Sequence, residues 1–101
     1  VTDAVTCAGC DPGRYRIGTL DVELSPEGRV WSATSGTLAG SALLMPDAVA
    51  NLTRFSGLPL EECLPLASSR PADYLGETPR GTLDLDWDPA AGALRVAEVR
   101  N

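Results

Sequence analysis

The sequence of 101 residues contains no histidine and no lysine. Without imidazole, a structural zinc site is excluded, because Cys7, Cys10 and Cys63 fall short of the four Cys or His ligands such a site takes. Without lysine, a Walker-type phosphate loop lacks the cation that reaches the phosphates. Basic residues are scarce altogether. Eight, all arginine, stand against 14 acidic ones for a net charge of −6, the reverse of the basic face on which nucleic acid is held. Long apolar runs are also missing. The most hydrophobic stretch, residues 38–49, is interrupted by Gly40, Ser41, Pro46 and Asp47, far from the ~20 apolar residues of a membrane span. No signal-peptide pattern opens the sequence, and three cysteines do not make a secreted disulfide scaffold, so a reducing, cytoplasmic setting is expected.

The length allows at most one domain, burying roughly 65% of the surface of its unfolded chain. The first residue is Val1 rather than Met, and the expectation is that further residues precede it. From Arg14 to Leu24, apolar Leu20, Val22 and Leu24 alternate with Thr19, Asp21 and Glu23, the period of a half-buried strand. Ser25-Pro26-Glu27-Gly28 carries Pro second and Gly fourth, as a type I turn prefers, and Arg29 to Ala33 runs back as the second arm of a hairpin.

The stretch GTLAGSALLM reads as a glycine-bracketed loop feeding an amphipathic helix, on which Met45, Ala48, Val49, Leu52 and Phe55 recur at helical spacing. Pro46 has no N–H and belongs in a first turn, which starts the helix at Leu44 or Met45; Gly57 ends it. Leu60, Cys63, Leu64 and Ala67 repeat the pattern in a short helix that Pro65 must kink. A further helical turn is predicted for Pro71 to Leu75, capped by Gly76. Beyond Gly81 the period returns to 2. Leu83, Leu85 and Trp87 oppose Thr82, Asp84, Asp86 and Asp88, and Ala93 to Val99 returns after a Pro89-to-Gly92 turn.

Four features could carry chemistry. Asp3 follows β-branched residues and precedes a small-residue loop, the setting in which a strand presents a carboxylate at its C-terminal end; an Asp there also serves as a turn former or helix cap. Cys7-Ala8-Gly9-Cys10 has the spacing of a redox pair, yet Gly9, Asp11, Pro12 and Gly13 replace the helix such a pair opens, leaving two loop thiols as the plain reading. Asp84, Asp86 and Asp88 resemble the start of a calcium loop, but Pro89 and Arg95 occupy its glycine and glutamate positions, so they read as a solvated strand face. The loop at 36–41 precedes a helix and could cradle an anion or admit a ligand close to the main chain at its small residues.

Three stretches, VTDAVTCAG at 1–9, GTLAGSALLMPDAVANL at 36–52 and ASSRPADYLG at 67–76, resemble in order and spacing the C-terminal part of the N-acetylglucosamine-6-phosphate deacetylases, of the metal-dependent amidohydrolase superfamily. The resemblance implies an α/β fold: residues 1–76 would be the end of a (β/α)8 barrel, comprising its last strand, an inserted hairpin, the substrate loop and closing helices. Residues 77–101 would add strands to a small β-sandwich. The fragment by itself reads as α+β. The chain departs from the pattern at Pro59, Pro65 and Leu44 and lacks the glycine-rich stretch usual near the end.

The resemblance further implies that Asp3 is the catalytic acid/base and that Leu38, Ala39 and Gly40 contact the amino sugar. A divalent ion, zinc or iron, would activate water on ligands upstream of this sequence. The substrate would be N-acetylglucosamine 6-phosphate, the whole enzyme a homodimer, and this portion inert alone. Two other readings stay open. One is a non-catalytic module binding a sugar phosphate or a protein through the 36–41 loop; the other is a dihydroorotase or hydantoinase relative sharing the strand-end aspartate.

Overall fold

The alternating stretch from Arg14 to Leu24 folds as two strands instead of one. In the computed structural model, which describes residues 1–101, β1 (Gly13–Ile17) and β2 (Leu20–Leu24) are joined by the two-residue turn Gly18-Thr19. Period 2 continues through such a turn, since Tyr15 lies opposite Val22 and Ile17 opposite Leu20. The apolar side chains therefore keep one face, and alternation cannot mark the reversal. The next turn forms as the sequence predicts: Gly28 N–H donates to the Ser25 carbonyl at 3.0 Å and Ser25 N–H to that of Arg29 at 2.9 Å. β3 (Arg29–Ser32) then runs back along β2 with Val30 opposite Leu24.

The expected glycine-bracketed loop is in part a strand. β4 (Leu38–Ser41) pairs antiparallel with β3 across a register shift, completing a meander in the order β1-β2-β3-β4. Its turn is closed by Ser32 N–H to the Thr37 carbonyl (2.8 Å) and Gly36 N–H to that of Ser32 (2.9 Å), which brings the small-residue run into line for pairing. This compact unit, residues 1–44, is centred on Val22, Leu24, Val30 and Cys7, with Val5, Tyr15, Ile17, Ala39 and Ala42 packed around them. Burial of a side chain such as Val22 or Val30 contributes about 1.5–3 kcal/mol.

The residues before Asp3, where the last barrel strand was expected within 1–76, form no strand here, and Val1 is fully exposed. A parallel strand is held by ladders to its neighbours. Within this chain the segment finds one partner only, an isolated parallel bridge between Ala4 and Ser41.

The second compact unit is residues 45–101, in which the final hairpin packs with the helices. Helix α1 is Met45–Ser56, with Pro46 in its first turn and Asp47 and Arg54 placed favourably for its dipole. Its buried residues are Val49 and Ala50, facing Cys63 and Leu94. Phe55, expected on the apolar face, is 76% exposed and lies under the Arg54 guanidinium, 4.9 Å from its ring centre. The predicted kink is present: α2 (Leu60–Cys63) gives way to a 3₁₀ turn over Leu64–Ala67, with Pro65 near its start. α3 (Ser69–Leu75) ends on Gly76, whose N–H reaches the Ala72 and Asp73 carbonyls.

β5 (Thr82–Asp88) and β6 (Ala93–Arg100) form the last hairpin, and Asp88 Oδ1 accepts the Ala90 and Ala91 N–H groups at 3.0 and 3.1 Å to close its turn. Asp84 pairs with Glu98 but Leu85 pairs with Val96, leaving Ala97 as the extra residue of a bulge. That bulge explains the spacing Leu94, Val96, Val99. It returns Val99, opposite Leu83, to the apolar face, and leaves Glu98 on the polar one beside Asp84, where Arg100 pairs with both carboxylates.

Candidate functional site

The site residues expected from the sequence all lie in the first unit. Asp3 immediately precedes the bridge that joins Ala4 to Ser41, and Val5 N–H donates to the Ser41 carbonyl at 2.8 Å. The free edge of β4 is therefore the one structured neighbour of the Asp3 segment within this unit. Asp3 is exposed, takes φ +52° and is engaged in no ion pair. Aspartate tolerates this left-handed geometry better than most residues.

Leu38, Ala39 and Gly40 share β4 but not one face. Strand alternation directs Ala39 to the core cluster, where it is half-buried, while Leu38 points away and is 63% exposed. Gly40 is required locally. Its φ of +140° is one that side chains rarely adopt, and a Cβ there would collide with Cγ1 of Val5. The space left by the missing side chain thus accommodates Val5. The sequence reading placed Gly40 and Ser41 in a loop open to a ligand and did not single out Val5; the signal available for Val5 was only the presence of a glycine where a strand residue would stand.

The β3–β4 turn is held by hydroxyl groups. Ser35 N–H donates to Ser32 Oγ at 3.2 Å, the Ser35 and Thr37 hydroxyls are 2.8 Å apart, and Leu43 N–H donates to Ser41 Oγ at 3.1 Å. Ser32 is buried, and no buried side-chain polar atom lacks a partner, so β4 is fixed at both ends by satisfied hydrogen bonds. The geometry suits a rigid edge carrying one exposed carboxylate and one exposed apolar side chain.

The divalent metal implied by the resemblance does not fit residues 1–101. There is no histidine, and no three His, Cys, Asp or Glu side chains converge to hold an ion. The Asp84, Asp86 and Asp88 row is the solvated strand face expected for it, with Asp84 paired to Arg100.

No family model matches the sequence. The N-acetylglucosamine-6-phosphate deacetylase of Danio rerio is 37% identical over 89 residues, which make up 87% of this chain and 22% of that one. A putative N-acetylgalactosamine-6-phosphate deacetylase of Escherichia coli (strain K12) is 38% identical over 76 residues, 75% of this chain and 44% of that one. Among solved structures, a mutant N-acetyl-D-glucosamine-6-phosphate deacetylase from Mycobacterium smegmatis, in complex with N-acetyl-D-glucosamine-6-phosphate, matches with a TM-score of 0.73 and 29% identity over 98% of this chain and 28% of its own.

These matches share a class, the deacetylases of N-acetylhexosamine phosphates. Within that class the chain is homologous to a section of the N-acetylglucosamine-6-phosphate deacetylases, and it spans about a fifth of the length of the Danio rerio relative. Its α+β architecture is the one found in the corresponding section of those enzymes.

Proposed function

We propose that residues 1–101 are the C-terminal portion of an N-acetylglucosamine-6-phosphate deacetylase, in which Asp3 carries the proton of the hydrolysis and Leu38, Ala39 and Gly40 line the sugar site. In the whole enzyme, residues 1–76 complete the barrel and residues 77–101 contribute strands to a small β-sandwich. Assembly as a homodimer in the cytoplasm belongs to the same reading; no helix of the chain is long and apolar enough to cross a membrane.

The observation that carries the proposal is the placement of Asp3 directly before the Ala4–Ser41 bridge, exposed and without an ion-pair partner, on the edge that bears Leu38 and Gly40. Hydrolysis of an acetamide requires a group that accepts a proton from the attacking water and then delivers it to the departing amine. One carboxylate can do both, because the two transfers occur in sequence. The side chains that hold any metal ion used in the reaction lie outside these residues.

A second sugar is favoured by a specific match. The Escherichia coli relative named for N-acetylgalactosamine 6-phosphate is as similar to this chain as the glucosamine enzymes are. Grafting residues 1–101 in place of the homologous section of the Danio rerio enzyme tests both readings. Acetate release from the glucosamine substrate is expected, and preferential release from the galactosamine substrate would transfer the reading to that sugar. A folded graft that turns over neither would overturn the proposal.

A further inference from the structure

The Cys7-Ala8-Gly9-Cys10 segment, left by its sequence as two loop thiols, is held in a defined turn. Cys10 N–H donates to the Cys7 carbonyl at 3.1 Å, and Ala8 N–H to that of Val5 at 3.0 Å. A turn closed between its first and fourth residues keeps their Cα atoms within about 7 Å. Disulfides span Cα separations of about 4.4–6.8 Å, so the backbone already has the required reach. Gly9, third in the turn, takes φ +79° and carries no side chain.

The two thiols differ in access. Cys10 is exposed, whereas Cys7 is 3% exposed and packs with Val22, Leu24 and Val30. An exposed and a shielded thiol together make the layout of dithiol exchange, in which the outer sulfur meets the oxidant and the inner one reaches only its neighbour. The Tyr15 hydroxyl donates to the carbonyl of Asp11, the residue after the pair. That group is held above its ordinary pKa first by partial desolvation and then by its titratable neighbours Cys10, Asp11 and Cys7. Cys63 belongs to the other unit and is fully buried there, and no third ligand joins the pair to make a metal site.

We infer that Cys7 and Cys10 form a redox-active pair that closes to an intrachain disulfide by exchange with a low-molecular-weight disulfide such as oxidised glutathione. The Cys10 thiolate attacks one glutathione sulfur, forming a mixed disulfide and releasing the first glutathione. Cys7 then attacks Cys10 Sγ, its proton leaves with the second glutathione, and the two electrons lost by the protein thiols have reduced one oxidised glutathione to two reduced molecules. Val5 and Ala39 pack against the same cluster as Cys7. The pair's chemistry does not depend on the catalytic role proposed for Asp3.

Equilibrating the full chain across ratios of reduced to oxidised glutathione, quenching in acid and alkylating the unfolded protein before mass measurement tests this. The expected result is three alkyl groups under reducing conditions. Under oxidising conditions one group remains, with the loss of two hydrogens and no retained glutathione, in one reversible step. Cys10→Ser should keep two alkyl groups at every ratio, and Cys7→Ala should retain glutathione on Cys10. Should Cys7→Ala fail to fold, the exposed Cys10→Ser variant decides the matter with the wild type. Three alkyl groups at all ratios, glutathione retained by the wild type, or disulfides only between molecules would overturn the inference.

Discussion

In residues 1–44, Val22 and Val30 have no exposed surface, whereas in residues 45–101 Leu83 and Val99 remain 53% and 64% exposed. The first unit folds its meander over the segment containing Val5 and Cys7, so its apolar face is closed by its own chain. The second covers its hairpin where Leu94 meets Val49, Ala50 and Cys63, and leaves an open groove of about 590 Å³ beside Met45, Leu83, Val96 and Val99. A two-stranded hairpin needs such packing to persist in water. The contrast teaches where rigidity resides. Asp3 and β4, the candidate site, belong to the unit whose interior is filled, which is the support that a precisely placed group requires.

That contrast can be broken by paired truncations. Leu24→Ala, in the closed core, should cost about 2–5 kcal/mol in denaturant unfolding. Val99→Ala, on the exposed face, should change stability by no more than about 0.5 kcal/mol. Similar losses for both would mean that the hairpin face is as well covered as the meander.

A smaller effect is expected at Gly40. Gly40→Ala places a Cβ against Val5 at a strained φ and should destabilise the chain by about 1–3 kcal/mol. Adding Val5→Ala should recover part of that loss, since the two positions touch and their effects cannot be additive. Additive losses would show that the close approach of Val5 is not what requires glycine.

The smallest effect lies at the β2–β3 turn. Glu27 is held below the ordinary carboxylate range by a hydrogen bond from its own backbone N–H and then by the Ser25 side chain, outweighing partial desolvation. A carboxylate whose pKa is depressed by folding stabilises the native state above its unfolded pKa, and that contribution fades as pH falls through the folded value. Acidification from pH ~6 to ~3, across the carboxylate range, should therefore lower Tm slightly more in the wild type than in Glu27→Gln. Parallel pH profiles would remove this contact from the account.

Much of the layout was legible because punctuation residues act locally. Pro46 and Gly57 bound α1, Pro65 forces the 3₁₀ turn after Cys63, and Asp88 with its following residues closes the last hairpin. What escaped were features decided by pairing. The two-residue turn after Ile17 preserves period 2, and the bulge at Ala97 is visible only once Val99 is known to face Leu83. The extended pairing of Leu38–Ser41 depends on β3, and the exposure of Phe55 on which side of α1 meets β6. Asp3 stood out through the resemblance of the whole VTDAVTCAG stretch; an aspartate before a loop is common for reasons of turn formation alone. Its position against β4 rests on the pairing of the Ala4–Val5 segment with Ser41, which no local pattern reveals.

The most direct test of the central claim is steady-state kinetics of Asp3→Asn in the graft that carries residues 1–101 within the Danio rerio enzyme. Asparagine keeps the shape and removes the proton acceptor, so kcat for deacetylation should fall by at least ~10²-fold with KM little changed. Turnover equal to that of the unmutated graft would contradict the assignment of Asp3 as the proton carrier.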